Sequence, residues 1–485
     1  ILGPIVPAMN VQSLPFIFRN NEDVYSTMDG EIGNYLQKQL LPKGIYLFPH
    51  GLMENGFRHI VCSDKPIEKA SDLKGVSIRI PEGKVFEETF LALGSNPVPL
   101  FVLKLYEALK PITLGKGSVT KPIANPIFLK PINFANLLTQ TATVTTLAMG
   151  LTFVLLLGEI DLSAGVTAGL SAGFLAVSMF NYGVSWPVAV IIAILFGMLI
   201  GFLIGVLVAK VGIPSFVVTL AAFLAFQGLQ LVVIGKGGLI GIEAAPILAI
   251  MNRPMPLAFG WILLAIVFAL YLLSSLVSRR QRSASGQLSK PISILIAKSV
   301  AILVIGAGVV FYLNQERGAN PAVTSLKGVP WVVPIVLILL AAGTFVLNRT
   351  RFGRHVYAVG GNAEAARRAG IRVDRVRITV FMISSTFAGI AGILLASRQA
   401  SVDAAAGRSI VLNAIAAAVV GGVSLFGGRG RLSDAVIGGF VIAIIDNGLG
   451  LIGLASGLNL AVTGAVLLLA ATADALSRRK SRPGN

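Results

Sequence analysis

Several kinds of chemistry are excluded by what the chain lacks. Cys62 is the only cysteine among 485 residues, so the chain can close no disulfide within itself and build no cysteine-based metal site. Its three histidines, His50, His59 and His355, have no partner at ligand spacing, and no metal is expected. No Gly-x-x-x-x-Gly-Lys-Ser/Thr stretch occurs, so the loop that cradles nucleotide phosphates is missing and no catalytic residue or cofactor is expected. Charged residues make up only 13%, against roughly 25% in soluble domains. Acidic residues are the scarcer kind, 22 against 40 Lys+Arg, for a net charge of +18. The basic residues gather at the ends of apolar runs, as orientation signals do, rather than in a nucleic-acid footprint. No charged, apolar, small-residue leader stands at Ile1, so a signal peptide is expected to be absent or to lie upstream.

Apolar length is plentiful. The chain is 55% hydrophobic with a mean hydropathy of +0.81, which predicts an integral membrane protein. From Phe134 onward, runs of the length needed to cross a hydrocarbon core recur. About eleven are expected, near 134–157, 162–182, 186–209, 214–235, 259–277, 291–313, 330–347, 376–396, 410–426, 432–453 and 456–475. Arg279, Arg280, Arg282, the 349–377 stretch, Arg429, Arg431, Arg478, Arg479 and Lys480 then fall on one side, expected to be cytoplasmic. Parity places residues 1–133 on the periplasmic side and the C-terminus inside. The fold class is thus an all-α polytopic membrane protein preceded by an incomplete soluble α/β fragment. That fragment is residues 1–109, which have mixed polarity and no spanning run; 110–133, rich in Lys, Pro and Gly, is a linker, and 134–485 is the transmembrane domain.

The stretch Arg349–Arg377 holds eight arginines against Glu364 and Asp374. Within it a short helix has both ends marked. Asn362 can N-cap it, Glu364 lies in its first turn, Arg367 and Arg368 lie in its last, and Gly370 supplies a left-handed stop. Glu364, Arg367 and Arg368 share one face, which leaves Ala365, Ala366 and Ala369 as a methyl-only surface suited to close docking. The alternative is a solvated loop obeying the positive-inside rule.

Tyr357, Gly360, Gly361, Asn362, Ala365, Ala366, Gly370 and Ile371 follow a Tyr-x-x-Gly-Gly-Asn-x-x-Ala-Ala-x-x-x-Gly-Ile pattern. It resembles the coupling loop of the sugar-permease family of bacterial ABC importers. The resemblance implies that a separate ATPase subunit grips this loop. Gly158-Glu159-Ile160-Asp161-Leu162-Ser163-Ala164-Gly165 is similar to the family's Gly-x-Ile-Asp-Leu-Ser-x-Gly signature, with Glu159 as in xylose-type members. Leu412–Ala417 with Gly421–Gly428 resembles its second signature, and Pro214–Leu220 with Gln227-Gly228 also follows it. Family membership implies two permease copies, ATPase subunits, a periplasmic sugar-binding protein and a monosaccharide substrate.

Glu159, Asp161, Ser163, Gln227, Asn413, Ser424 and Asn447 are the candidate pathway residues. Five of them have a structural alternative: Asp161 or Ser163 as a helix cap, Gln227, Asn413 and Asn447 as interhelical hydrogen bonders. Separately, Leu14-Pro15-Phe16, Asn55–Arg58, Lys65-Pro66-Ile67, Asp72–Gly75, Ile78–Pro81 and Leu105–Leu109 resemble the middle of the solute-binding proteins of TRAP-type carboxylate transporters. There Arg79, and with it Arg58, would pair with a substrate carboxylate. The pattern breaks off after Leu109, which points to a fusion and to an incomplete pocket. The reading that follows is an ATP-driven importer's permease for xylose or a similar pentose. Two rivals stand beside it: a carboxylate-binding module with a membrane anchor, and an ion-coupled transporter using Asp446.

Overall fold

The computed structural model describes residues 21–43, 70–80, 84–99, 128–235, 238–285, 291–318, 325–451, 461–466, 468–469 and 471–472. Contacts divide the chain into two units, Ile1–Ser118 and Val119–Asn485.

In the first unit, α1 (Asn21–Met28) and α2 (Glu31–Leu40) precede a β-α-β element. Gly33, Leu36 and Leu40 recur at helical spacing and form the buried stripe of α2. The parallel strands β1 (Ser77–Ile80) and β2 (Asn96–Pro99) are joined through α3 (Lys84–Ala92), with Arg79 in register with Val98. Arg58 lies outside the described residues.

The second unit is a helical bundle. Its main apolar helices are α4 (Pro131–Leu156), α5 (Ala164–Phe180), α6 (Trp186–Val206), α7 (Ser215–Ile234), α9 (Leu257–Ala284), α10 (Ile292–Leu313), α11 (Val332–Arg349), α14 (Val373–Gln399), α15 (Ile410–Gly421) and α16 (Leu432–Leu451). A π-helical turn, Leu207–Val211, extends α6. Eight of these helices are long and apolar enough to cross a membrane. Ten of the expected runs are therefore helices; most of the eleventh, 456–475, lies outside the described residues. Proline sets many starts: it occupies the first turn of α4 and α6 and immediately precedes α7, α9 and α10, where its missing N–H costs nothing. The helix α4 opens at Pro131, inside the stretch read from sequence as linker.

The other two apolar helices are shorter. α5 has 17 residues and α15 only 12, so α15 covers about 18 Å of a hydrocarbon core of roughly 30 Å. The first turns of α5 meet 400–409, the approach to α15: a Cβ on Gly165 would lie 2.5 Å from the Gly407 carbonyl. Irregular backbone at such depth must be satisfied by protein. Gln230 does so, its Nε2 donating to Asp403 O (3.1 Å) and Ala406 O (3.2 Å). At the same end β4 (Ser401–Asp403) pairs antiparallel with β3 (Leu239–Gly241), above the short helix α8 (Ala245–Asn252).

Candidate functional site at the basic end of the bundle

The arginine-rich stretch is two helices, where one was expected. α12 (Arg351–Gly361) starts at Thr350, whose Oγ1 accepts from Gly353 N at 3.1 Å. Gly353, Val356 and Val359 at three-residue spacing are buried and hold α12 against the bundle while Arg351 and Arg354 face outward. Asn362 ends α12 and caps α13 (Ala363–Arg368), its Oδ1 accepting from Ala365 N at 2.9 Å. Glu364 pairs with Arg367 and Arg368, both at 3.3 Å. Gly370 takes φ +84°, and Ile371 N then closes on Ala366 O at 3.0 Å.

The alanine surface needs correction. Ala365 and Ala369 are exposed, but Ala366 is 5% exposed and packs in one cluster with Val356, Val359 and Val373. The turn at Gly370 folds the start of α14 back under α13, so the middle methyl belongs to this chain's own core. What α13 presents outward is Ala365, Ala369 and the Glu364–Arg367–Arg368 side. Beside it, a cavity of about 370 Å³ is lined by Phe352, His355, Ile371, Arg372, Arg375 and Thr379.

Beneath these helices the two glycine signatures converge. Gly428 N donates to Leu156 O at 2.9 Å, and Tyr357 Oη donates to Gly430 O at 2.8 Å. Burial, with the Asp434 carboxylate near, raises the Tyr357 phenol above its ordinary pKa, so it remains a donor. Gly427, at φ +81°, is so close that a Cβ would lie 2.8 Å from both Gly158 N and Gly360 O; only glycine meets both demands there. A Cβ on Gly360 would in turn run into Leu156 O. The Gly158, Gly360 and Gly427 segments are thus in backbone contact.

The polar candidates part company. Asp161, 1% exposed, braces the turn before α5, whose N-cap position is Ser163 with no side-chain cap bond: Oδ1 accepts from Ser163 N (3.0 Å) and Ser163 Oγ (2.6 Å), and Oδ2 from Ser384 Oγ (3.4 Å). Asp161 and the fully buried Ser163 therefore line no open surface of this chain, because the carboxylate is consumed in starting α5 and tying it to α14. Glu159 forms an ion pair with Arg377, Oε1 to Nη2 at 3.1 Å. Ser424, also buried, holds the turn, its Oγ accepting from Phe426 N at 3.3 Å. Asn447 joins α16 to α4 through a reciprocal amide pair with Asn133, 2.9 and 3.0 Å. Gln227 and Asn413 are half-buried on α7 and α15. The sequence reading missed Gln230; its signal was a second amide one turn beyond Gln227 in an apolar run.

Residues 133–471 match the family described as the branched-chain amino acid transport system / permease component. Residues 1–113 match the bacterial extracellular solute-binding protein, family 7. The chain is 37% identical over 354 residues to the xylose transport system permease protein of Escherichia coli (strain K12), covering 73% of this chain and 87% of that protein. Against the xylose transport system permease protein of Haemophilus influenzae (strain ATCC 51907 / DSM 11121 / KW20 / Rd) identity is 35% over 356 residues, 73% and 91% of the two chains. Against the ribose import permease protein of Bacillus subtilis (strain 168) it is 33% over 361 residues, 74% and 88%. No solved structure gives a significant match. With its apolar spans and this likeness over nearly the whole of its relatives, the chain is a multi-pass inner-membrane transport component, not an enzyme, and it belongs to the permease-component family that residues 133–471 match.

Proposed function

We propose that the chain is the permease subunit of an ATP-driven importer for a monosaccharide, a pentose such as xylose or ribose, and that α13 is where the ATPase subunit docks. The observation that carries this reading is the placement of α13. It is capped at both ends, exposed on one side, and continuous through Gly360 with the two signature loops. A helix so held passes an applied force into the bundle instead of fraying. The relatives' named substrates support a pentose. Under this reading the basic end faces the cytoplasm, residues 1–133 and the β3–β4 end face the periplasm, and the C-terminus lies inside. The functional unit contains a second permease copy, ATPase subunits and a periplasmic sugar-binding protein. Residues 1–109 are an incomplete piece of a carboxylate-binding domain, 110–130 a linker up to the start of α4 at Pro131, and Arg58 and Arg79 contribute no substrate affinity to transport.

Because Ala366 is inward, the diagnostic substitution is at the exposed neighbour. Ala365→Glu places an uncompensated charge in the docking contact and should abolish recovery of the ATPase in detergent pull-down, while the permease still folds because Glu is a good helix former. Equal ATPase recovery with wild type and Ala365→Glu would mean that α13 is a solvated loop. In proteoliposomes, sugar uptake should require trapped ATP; uptake driven by a pH jump without ATP and lost in Asp446→Asn would make the protein an ion-coupled transporter.

A further inference from the structure

The strap 158–163, between α4 and α5, runs along α14 and is tied to it twice. At its outer end Glu159 pairs with Arg377 at 3.1 Å; at its inner end Asp161 accepts from Ser384 at 3.4 Å. Arg377 and Ser384 are seven residues apart, two turns on one face of α14. The two ties differ in kind. The inner one is wholly buried and shares its carboxylate with the start of α5. The outer one is at the water boundary, with side chains 14% and 27% exposed, and is a single contact: Arg377 Nε finds no acceptor among the described residues. Between them, Ile160 is held from the other side by α7, its N–H donating to Ser215 Oγ (3.3 Å) and its carbonyl accepting from Thr219 Oγ1 (3.2 Å).

Arg377 lies in the first turns of α14, directly after α13 and the Gly370 stop. Any displacement of α13 therefore reaches Arg377 before it reaches the rest of α14. We infer that the Glu159–Arg377 pair is the positioning contact through which movement of α13 is passed to the strap, and through Asp161 to α5, so that the pair governs how much sugar is moved per ATP and not whether the ATPase binds. A single-point ion pair with both side chains partly exposed is suited to being made and broken in each cycle, because water can reach each group as they separate, whereas Asp161 is wholly buried and held by Ser163 as well as Ser384. The inference rests on the docking proposed for α13.

The test uses the full-length permease with its ATPase and sugar-binding protein in proteoliposomes, comparing wild type, Glu159→Gln, Arg377→Gln and the exchange Glu159→Arg/Arg377→Glu. Each single variant should retain ATPase recovery and ATP hydrolysis while sugar uptake per ATP falls about tenfold, a size usual for coupling between sites. The exchange should restore at least half of the uptake. A merely structural role would lower permease yield and ATPase recovery along with uptake, and that result would overturn the inference, as would wild-type uptake per ATP in both single variants. Loss in the singles without recovery in the exchange would also overturn it, since individual charges and not the pair would then matter. Failure of the docking proposal is read separately, as undiminished ATPase recovery by Ala365→Glu.

Discussion

The inner helices α4 and α14 and the outer helices α9 and α10 are all spans by length and composition, yet 78% and 67% of the inner pair's apolar windows are buried against 6% and 6% of the outer pair's. Apolarity does not separate them in the expected direction, because α4 is the least apolar of the eight candidate spans. It is buried almost all round and carries Thr141, Thr143, Thr145, Thr146 and Thr152 among its buried residues, Thr141 and Thr152 bonding back to their own helix, with Gly150 against Phe387. The outer helices instead expose Phe259, Ile262, Ile266, Leu270, Ile296, Val304 and Ile305. Lipid is as apolar as a leucine side chain, so it gives no drive to bury leucine against protein; small residues such as threonine and glycine, which permit close approach, mark the interior instead.

Matched glycine substitutions give the largest contrast between the two regions. A Cβ at Gly392, in α14, would run into the backbone carbonyl of Ala168, while at Gly308, in α10, it meets nothing. Backbone cannot step aside as a side chain can. Gly392→Val should cost ~3 kcal/mol or more and lose most folded protein, and Gly308→Val should stay within ~0.5 kcal/mol. Thermal unfolding in detergent measures both, and equal midpoints would show that the contact-poor outer helices are as tightly packed as the centre.

A smaller effect sharpens the same contrast through polarity. The Asn133–Asn447 pair ties α4 to α16, and Asn133 also donates to Phe128 O at 3.0 Å. Asn447→Leu leaves Asn133 with its bond to Phe128 O and should cost about 1 kcal/mol, whereas Asn133→Leu strips both the Asn447 amide and Phe128 O of a partner and should cost somewhat more. The double variant should recover part of the Asn133→Leu loss, since the Asn447 amide it would strand is gone. Additive losses in that cycle would show that the amides do not act on each other.

The sequence made the spans legible because their length is fixed by the membrane, and the caps of α13 legible because Asn362, Glu364 and Gly370 act locally. What it hid depends on distant partners. Gly353, Gly360 and Gly361 argue against a helix, yet α12 forms because Val356 and Val359 are buried and Gly360 must pass close to Leu156. Ala365 and Ala366 look alike until the Gly370 turn buries one of them. Gln227 and Gln230 are equivalent on paper; only the descent of 400–409 into the bundle makes Gln230 the one whose amide is needed. The end of α15 at Gly421, short of the expected run to 426, has the same origin: the Gly421–Gly428 segment is taken up by contact with Gly158 and Gly360. The Glu159–Arg377 pair carries no local signal at all.

The smallest expected effect lies where the outer helices meet the bundle. α10 is fastened at one end, where Val310 and Leu313 are buried with Met255 and Val329, and Tyr312 meets Phe134 edge-on at 5.9 Å. The loop that follows is held by Glu316, which accepts from Gly318 N (2.8 Å), Leu326 N (3.0 Å) and Ser325 Oγ (2.7 Å) and lies 3.6 Å from Lys327. These donors, the backbone N–H of Gly318 first, lower its pKa from 4.5 to about 2. A carboxylate whose folded pKa is depressed stabilises the fold above its unfolded pKa and loses that contribution as pH falls through the folded one. The window is therefore pH 4.5 down to about 2. The Glu316 side chain is partly exposed, at 26%, so water screens it and the change should be slight and confined to that window. Comparing wild type with Glu316→Gln isolates it: the wild-type melting midpoint should fall more steeply than the variant's between those limits, and the two should run parallel above pH 5, beyond the ordinary carboxylate range. Parallel curves throughout would mean that α10 is fastened by its apolar contacts alone, making the outer helices less dependent on their loops than the bonding around Glu316 implies.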